Sequence, residues 1–334
     1  SFALPIFLGN LLQLTYSLVD TRIVGSFLGE DALAAVGATS TLSGLIIGFL
    51  LGLSNGFAII TAQKFGAKNI ADMKKSFAMS LVIGTGISIL FTIAGLLFLK
   101  PILHFLNVPK HLVPVAKGYI AIIIAGLLAT FLYDACAATL RAIGDAVTPL
   151  IILAISVALN IVGDLFFVVV LKTGVKGAAI ATVLAQIIAF VICWIYMIRK
   201  YEILRLQKED FKDPSPIMVK EMINAGMSMG FMSSLVNIGT LTLQTAINKL
   251  GKDIIIAHTA ARKISEIFMI MFSVFGQTMA TYCGQNMGAG KIDRVKRGIW
   301  LAIVYTAIWS GLTIIASYTI GGWLVYLVTG SHNK

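Results

Sequence analysis

Residues Thr148–Leu171 read TPLIILAISVALNIVGDLFFVVVL. The run of 24 residues is almost wholly apolar and holds one ionisable side chain, Asp164. At about 1.5 Å of rise per residue, such a helix is long enough to cross a hydrocarbon layer of about 30 Å. An ionised carboxylate inside it costs at least ~2.5–3.5 kcal/mol on insertion scales. That cost calls for a compensating partner, a task, or both.

The surrounding composition says the same of the whole chain. Of 334 residues, 58% are hydrophobic and 12% charged, against about 25% charged in ordinary soluble domains. Mean hydropathy is +0.91. The apolar residues fall in blocks long enough for helical spans, without the short alternating segments of a membrane β-barrel. In a soluble protein a net charge of +11 would suggest nucleic acid; in this setting it reads as topology, and no nucleic-acid partner is expected. Cys136, Cys193 and Cys283 lie in apolar segments without CxxC spacing and read as packing residues. The first residues lack the basic region of a signal peptide. The chain opens without methionine and is apolar by Phe2, which suggests a fragment.

Nine spans are expected, at about 3–25, 35–62, 77–99, 116–139, 148–171, 177–198, 223–248, 255–284 and 298–320. The polar stretch Arg199–Glu221, with Pro214 and Pro216, reads as an exposed linker between two lobes. This divides the chain into 1–200, a linker at 201–222, and 223–334. With the N-terminus in the cytoplasm, inner loops hold fifteen Lys and Arg against eight outside, which favours that orientation. Shifting the sequence by 222 residues aligns 28–75 with 250–297 without a gap, twelve of 48 positions being identical. Asp31 meets Asp253, Gln63 meets Gln285, Gly66 meets Gly288, and Lys74 meets Lys296. Helices 7 to 9 thus repeat helices 1 to 3 in the same orientation, a parallel repeat typical of transporters. The repeat predicts helices 10 to 12, roughly ninety further residues by the length of a three-helix unit. The expected fold is an all-α polytopic membrane protein of two lobes, the second truncated, with about nine of twelve helices present.

Asp20, Asp134, Asp164 and Glu266 are the acids inside spans. Asp20 follows Pro5, and Asp164 follows Pro149, by fifteen residues each, or ~22 Å of helix. Both carboxylates should therefore lie at similar depth. Asn160 shares a helix face with Asp164, and Thr182 sits at about the same level on the next span. Two carboxylates, an amide and a hydroxyl suit a hard cation such as Na⁺, and two close carboxylates can equally share a proton. The plainer alternative is two acids independently hydrogen-bonded between helices. Asp134 precedes Arg141, and a local pairing or a solvated position is expected, with a coupling role as the alternative. Glu266 follows Arg262 and Lys263 at helical spacing, so an ion pair is expected, with a substrate role as the alternative. Tyr119, Gln13, Tyr16 and Asn10 are candidates to line a cavity. Met222, Met227, Met229 and Met232 suit packing or adaptable ligand contact. Pro5 implies a kink in the first span. No HExxH or Walker A sequence is present and no nucleophile–base or metal pair stands out, so no enzyme activity is expected.

These features resemble the multidrug and toxic compound extrusion (MATE) transporters. The likeness runs through Pro5 to Asp20-Thr21, Gln63-Lys64-Phe65-Gly66-Ala67, Leu140-Arg141-Ala142-Ile143-Gly144-Asp145 with Thr148-Pro149, and Asn160-Ile161-Val162-Gly163-Asp164. The resemblance implies two six-helix lobes, alternating access, and efflux of amphipathic or cationic organic compounds driven by Na⁺ or H⁺, with no other cofactor. It further implies that Asp20, Asn160, Asp164 and Thr182 match the cation site of the prokaryotic DinF-like branch, with Tyr119 near that branch's helix-4 tyrosine. The seventh span has no acid, unlike the NorM-like branch. A monomer in the cytoplasmic membrane of a prokaryote is expected. A lipid-linked oligosaccharide flippase of the same superfamily is the alternative, but only Arg22, Arg262 and Lys263 would serve its pyrophosphate.

Overall fold

The computed structural model describes residues 2–106, 108–247 and 252–329, and every regular element among them is helical. The long helices are α1 (Ala3–Leu28), α2 (Glu30–Gly66) and α3 (Ile70–Leu97), followed by a short α4 (Leu99–Phe105). Next come α5 (Val113–Ala125) and α6 (Leu127–Ala142), two arms of one rod bent by 44° at Gly126. Then follow α7 (Val147–Asp164), α8 (Val175–Lys200), α9 (Pro216–Ile247), α10 (Lys252–Gly288) and α11 (Ile292–Thr329). Counted as rods, these match the nine expected spans, most of them longer than expected. Among the described residues six helices are long and apolar enough to cross a membrane, or seven with the bent pair. Helices α1 and α9 fall short of that standard because they carry Asn, Gln, Ser, Thr and charged residues.

The first half, α1–α8, packs around α2. Leu50, Leu53 and Phe57 of α2 are completely or almost completely buried, with Ile120, Ile124 and Phe131 of α5 and α6 packed into the same core. The most apolar stretch of α2 is 56% buried, which makes α2 the spine of the first half. A stripe on α8, Ala178, Ala181, Ala185, Ala189 and Cys193, is buried at helical spacing, small side chains that let α6 and α7 come close.

Pro5 lies at the third position of α1, which is one element from Ala3 to Leu28. The linker is largely exposed, as expected, but it is not irregular throughout. It folds into two 3₁₀ turns, Glu202–Leu204 and Lys208–Phe211, and buries Leu204 in the first half. Helix α9 then starts at Pro216; Met222 packs in the core with Met227 against it, Met229 lines a cavity and Met232 is exposed. Finally, α7 gives way after Asp164 to a π-helical turn, Leu165–Val170.

The repeat is present in the structure. Helices α2 and α10 each have 37 residues, and the bounds of α2 and the start of α3 reappear 222 positions later. The two halves meet through these copies. On α2 Gly52 and Gly56, and on α9 Gly226 and Gly230, form two small-xxx-small faces that bring the backbones together. A Cβ on Gly52 or Gly56 would come within 2.5 Å of the Met229 or Ala225 carbonyl oxygen. The end of the bundle where α1 begins and α2 and α10 terminate, called the base below, closes in the same manner. There Gly66 abuts the backbone of Gln285, and Gly288 abuts the backbone of Gln63. Gln285 also donates Nε2 to the Ala142 carbonyl at 2.6 Å. Beside this contact Asn55, Ala58 and Ile59 face their own repeat copies, Gln277, Ala280 and Thr281, around a cavity of about 40 Å³. Arg141 lines that cavity and donates to Asn55 Oδ1 at 3.4 Å, so it does not make the expected pair with Asp134, which lies two turns away on α6.

Candidate functional site

The polar residues of the first half converge between α1, α5, α7 and α8. Helix α1 contributes Tyr16 and Asp20, one turn apart. Helix α7 contributes Ser156, Asn160 and Asp164 at intervals of one turn, and α8 contributes Thr182 and Gln186 at the same interval. Asp164 is 0% exposed and Asn160 2%. The carboxyl groups of Asp20 and Asp164 lie within hydrogen-bonding reach of each other. The two carboxyl groups therefore lie at one depth. Tyr119 on α5 stands beside the pair and next to Tyr16.

Asn160 organises the site. With its NH₂ turned toward the acceptors, it donates to Asp164 Oδ2 at 3.0 Å and to Tyr16 Oη at 3.1 Å. Its oxygen then accepts from Thr182 Oγ1 at 3.1 Å. Tyr16 Oη and Thr182 Oγ1 are 3.4 Å apart. After these bonds, Oδ1 of Asp20 and Oδ1 of Asp164 are buried with no partner among the described residues. Two unpaired carboxylate oxygens beside neutral amide, hydroxyl and phenol oxygens form a receptor for a small hard cation or a shared proton. No cluster of three or more His, Cys, Asp or Glu side chains that would hold a transition metal occurs among the described residues.

Other sequence candidates lie elsewhere. Asn10 spends its amide on the Ile6 carbonyl of its own helix at 2.8 Å. Gln13 lines a small cavity next to Tyr16 and Asn160. Glu266, in the second half, accepts from Arg262 Nε at 3.1 Å, and both side chains are exposed. The side chain of Lys263 lies outside the described residues. Arg22 is exposed, off the face that carries Asp20. Ser156 and Gln186 belong to the site's surroundings and were not anticipated. Their signal was present, since each lies one turn from a predicted site residue on a helix already identified.

The family assignment rests on sequence. Residues 5–166 and 228–333 match MatE. The chain belongs to the MatE family. It is 32% identical over 298 residues to the probable multidrug resistance protein YpnP of Bacillus subtilis (strain 168), covering 88% of this chain and 65% of that protein. It is 25% identical to DNA damage-inducible protein F of Escherichia coli (strain K12), covering 99% of this chain and 70% of that one. A crystal structure of MATE in the bent conformation superposes with a TM-score of 0.89 at 22% identity, over 98% of this chain and 73% of the other. The chain thus spans about two thirds of the length of the curated MatE relatives. The family consists of membrane transporters, and the long apolar helices make this MatE protein a multi-pass membrane protein.

Proposed function

We propose that this MatE protein is a cation-coupled antiporter that exports amphipathic, often cationic organic compounds by alternating access. The carrying observation is the meeting of Asp20 and Asp164, each with a buried oxygen that has no partner among the described residues. Asn160 and Thr182 supply the neutral oxygens, and Tyr16 and Tyr119 border them. Na⁺ or H⁺ binding here favours one arrangement of the lobes and substrate the other, so exchange follows from differential affinity. The two lobes are 1–200 and 223–334, joined by 201–222 on the cytoplasmic face. The excess of Lys and Arg in loops at the base supports a cytoplasmic base, with the N-terminus inside. The protein works as a monomer in the cytoplasmic membrane of a prokaryote, as in the expectation from sequence. Coupling through the first lobe, as in the DinF-like branch, accords with the absence of any acid between Ile223 and Ile247. The pairing of Arg262 with Glu266 gives no support to the flippase reading, which needs free cations for a pyrophosphate.

The test is equilibrium binding of ²²Na⁺ across pH, with proton release on substrate addition measured in parallel. Saturable Na⁺ binding, or substrate-driven proton release, is expected in the wild type and lost in both Asp20→Asn and Asp164→Asn. Retention of either signal in both variants refutes the site.

A further inference from the structure

One turn toward the base from Asn160, helices α1, α7 and α8 border a polar chamber of about 20 Å³. That is room for one water molecule. Its polar lining is Gln13, Tyr16, Ser156, Asn160, Thr182 and Gln186. Tyr16, Asn160 and Thr182 belong to the cation site as well, so the two spaces share a wall. The remaining polar groups are unspent. Oε1 of Gln186 is buried with no hydrogen-bond partner among the described residues. Ser156 Oγ has only a 3.4 Å contact with the Ala185 carbonyl. A buried carbonyl oxygen without a partner is rare in folded proteins and marks a place where water or an ion belongs.

Position gives the chamber a direction. Ser156 lies four residues before Asn160 on α7, whereas Gln186 lies four residues after Thr182 on α8, and the two helices run oppositely. Both displacements point to the base, as does that of Gln13 from Tyr16 on α1. Leu153, Val157 and Ala185 form the apolar part of its lining.

We propose that this chamber is an inner station on the path of the coupling cation, holding one water between Gln186, Ser156 and Thr182 that the cation meets first as it leaves the acid pair for the cytoplasm. The inference rests on the antiporter reading above. A cation bound by carboxylates has shed its water, and leaving through an apolar wall would strip its remaining ligands at once. A water fixed one turn inward replaces a ligand as one is lost. Gln186 and Ser156 are then positioning residues for that water. They do not belong to the acid pair.

Gln186→Met keeps the volume and removes the oxygen, and Ser156→Ala removes the second holder at almost no steric cost. In proteoliposomes, release of bound ²²Na⁺, or of protons followed with a trapped dye, is timed on the side where the N-terminus is accessible. The expected result is release slowed about tenfold or more in both variants, with equilibrium occupancy within about twofold of wild type. Release at the wild-type rate in both variants overturns the station. Loss of equilibrium binding to the level of Asp164→Asn also overturns it, because the residues would then be cation ligands. If the wild type holds neither ion, the antiporter reading itself fails and the station with it. A crystal structure of the wild type fine enough to show ordered solvent gives a readout independent of transport: a water bonded to Gln186 and Ser156 supports the station, and a dry chamber overturns it.

Discussion

Gly66 and Gly288 close the base of the molecule, and giving either one a methyl group tests whether that closure is a balance between two states. A Cβ on Gly66 would lie 2.6 Å from the carbonyl carbon and 2.7 Å from Cα of Gln285. A Cβ on Gly288 would lie 2.6 Å from the carbonyl carbon and 2.9 Å from Cα of Gln63. Ordinary contact begins at 3.4 Å. The atoms in the way are backbone of a long helix, which has no rotamer to change, so relief comes only by parting α2 from α10. Overpacking of this kind costs about 1–3 kcal/mol. If the base opens during transport, that penalty falls only on the closed arrangement, and the closed-to-open ratio drops by about 5- to 150-fold. Spin labels on Lys68 and Lys291, both exposed in the loops that follow α2 and α10, report the separation by pulsed electron resonance. Gly66→Ala and Gly288→Ala should each move population to longer distances. Gly37→Ala is the control, since nothing lies within 4 Å of a Cβ at that position in α2. Unchanged distance distributions in both base variants, with the fold retained, would refute the reasoning.

Two further outcomes concern single side chains. Asp145 caps α7, accepting from the Thr148 amide at 3.0 Å and the Thr148 hydroxyl at 2.6 Å, and it also accepts from Tyr201 Oη at 2.7 Å. Asp145→Ala should cost about 1–2 kcal/mol in thermal or denaturant unfolding, as lost helix caps do. Burial alone would raise the Asp145 pKa, but the bonds from Thr148 and Tyr201 and the charge of Lys200 bring it below the ordinary value. A depressed folded-state pKa stabilises in full above the unfolded value of about 3.9 and is lost as pH falls through the folded value. The wild type should therefore lose stability below about pH 4 more steeply than Asp145→Asn, an effect read from unfolding curves at stepped pH. Tyr16→Phe removes one neutral hydrogen bond from the Asn160 network, worth about 0.5–1.5 kcal/mol, so cation affinity should fall roughly twofold to tenfold without being abolished. An unaltered binding isotherm would place Tyr16 outside the network that sets affinity.

Much of the architecture was legible because a bilayer allows few solutions. Span length, the parallel repeat and the equal proline-to-acid distances in α1 and α7 follow from helix geometry and apolar composition, and they put Asp20 and Asp164 side by side before any contact is known. What escaped were features that depend on neighbours. The linker looked irregular because its charges outnumber its apolar residues, yet it folds into two 3₁₀ turns that bury Leu204. Asp134 and Arg141 looked paired along one helix, but Arg141 turns to Asn55 on α2, a partner 86 positions away in sequence. Ser156 and Gln186 were passed over because Ser and Gln are common at helix contacts. Only the enclosed chamber and an unspent oxygen separate them from ordinary packing.

The closure at Gly66 and Gly288 has one more property. Gln63 touches the copy of Gly66, and Gln285 touches the copy of Gly288, so the contact is self-complementary in the way a two-fold homodimer interface is. A single ancestral unit carrying that one glutamine–glycine segment, paired head to head with a second copy of itself in the same membrane orientation, would make both halves of the contact at once. Fusion of the two genes would inherit a working seam without any new sequence having to be invented for it. After fusion the two copies are free to diverge, and each can then loosen or tighten the seam from its own side.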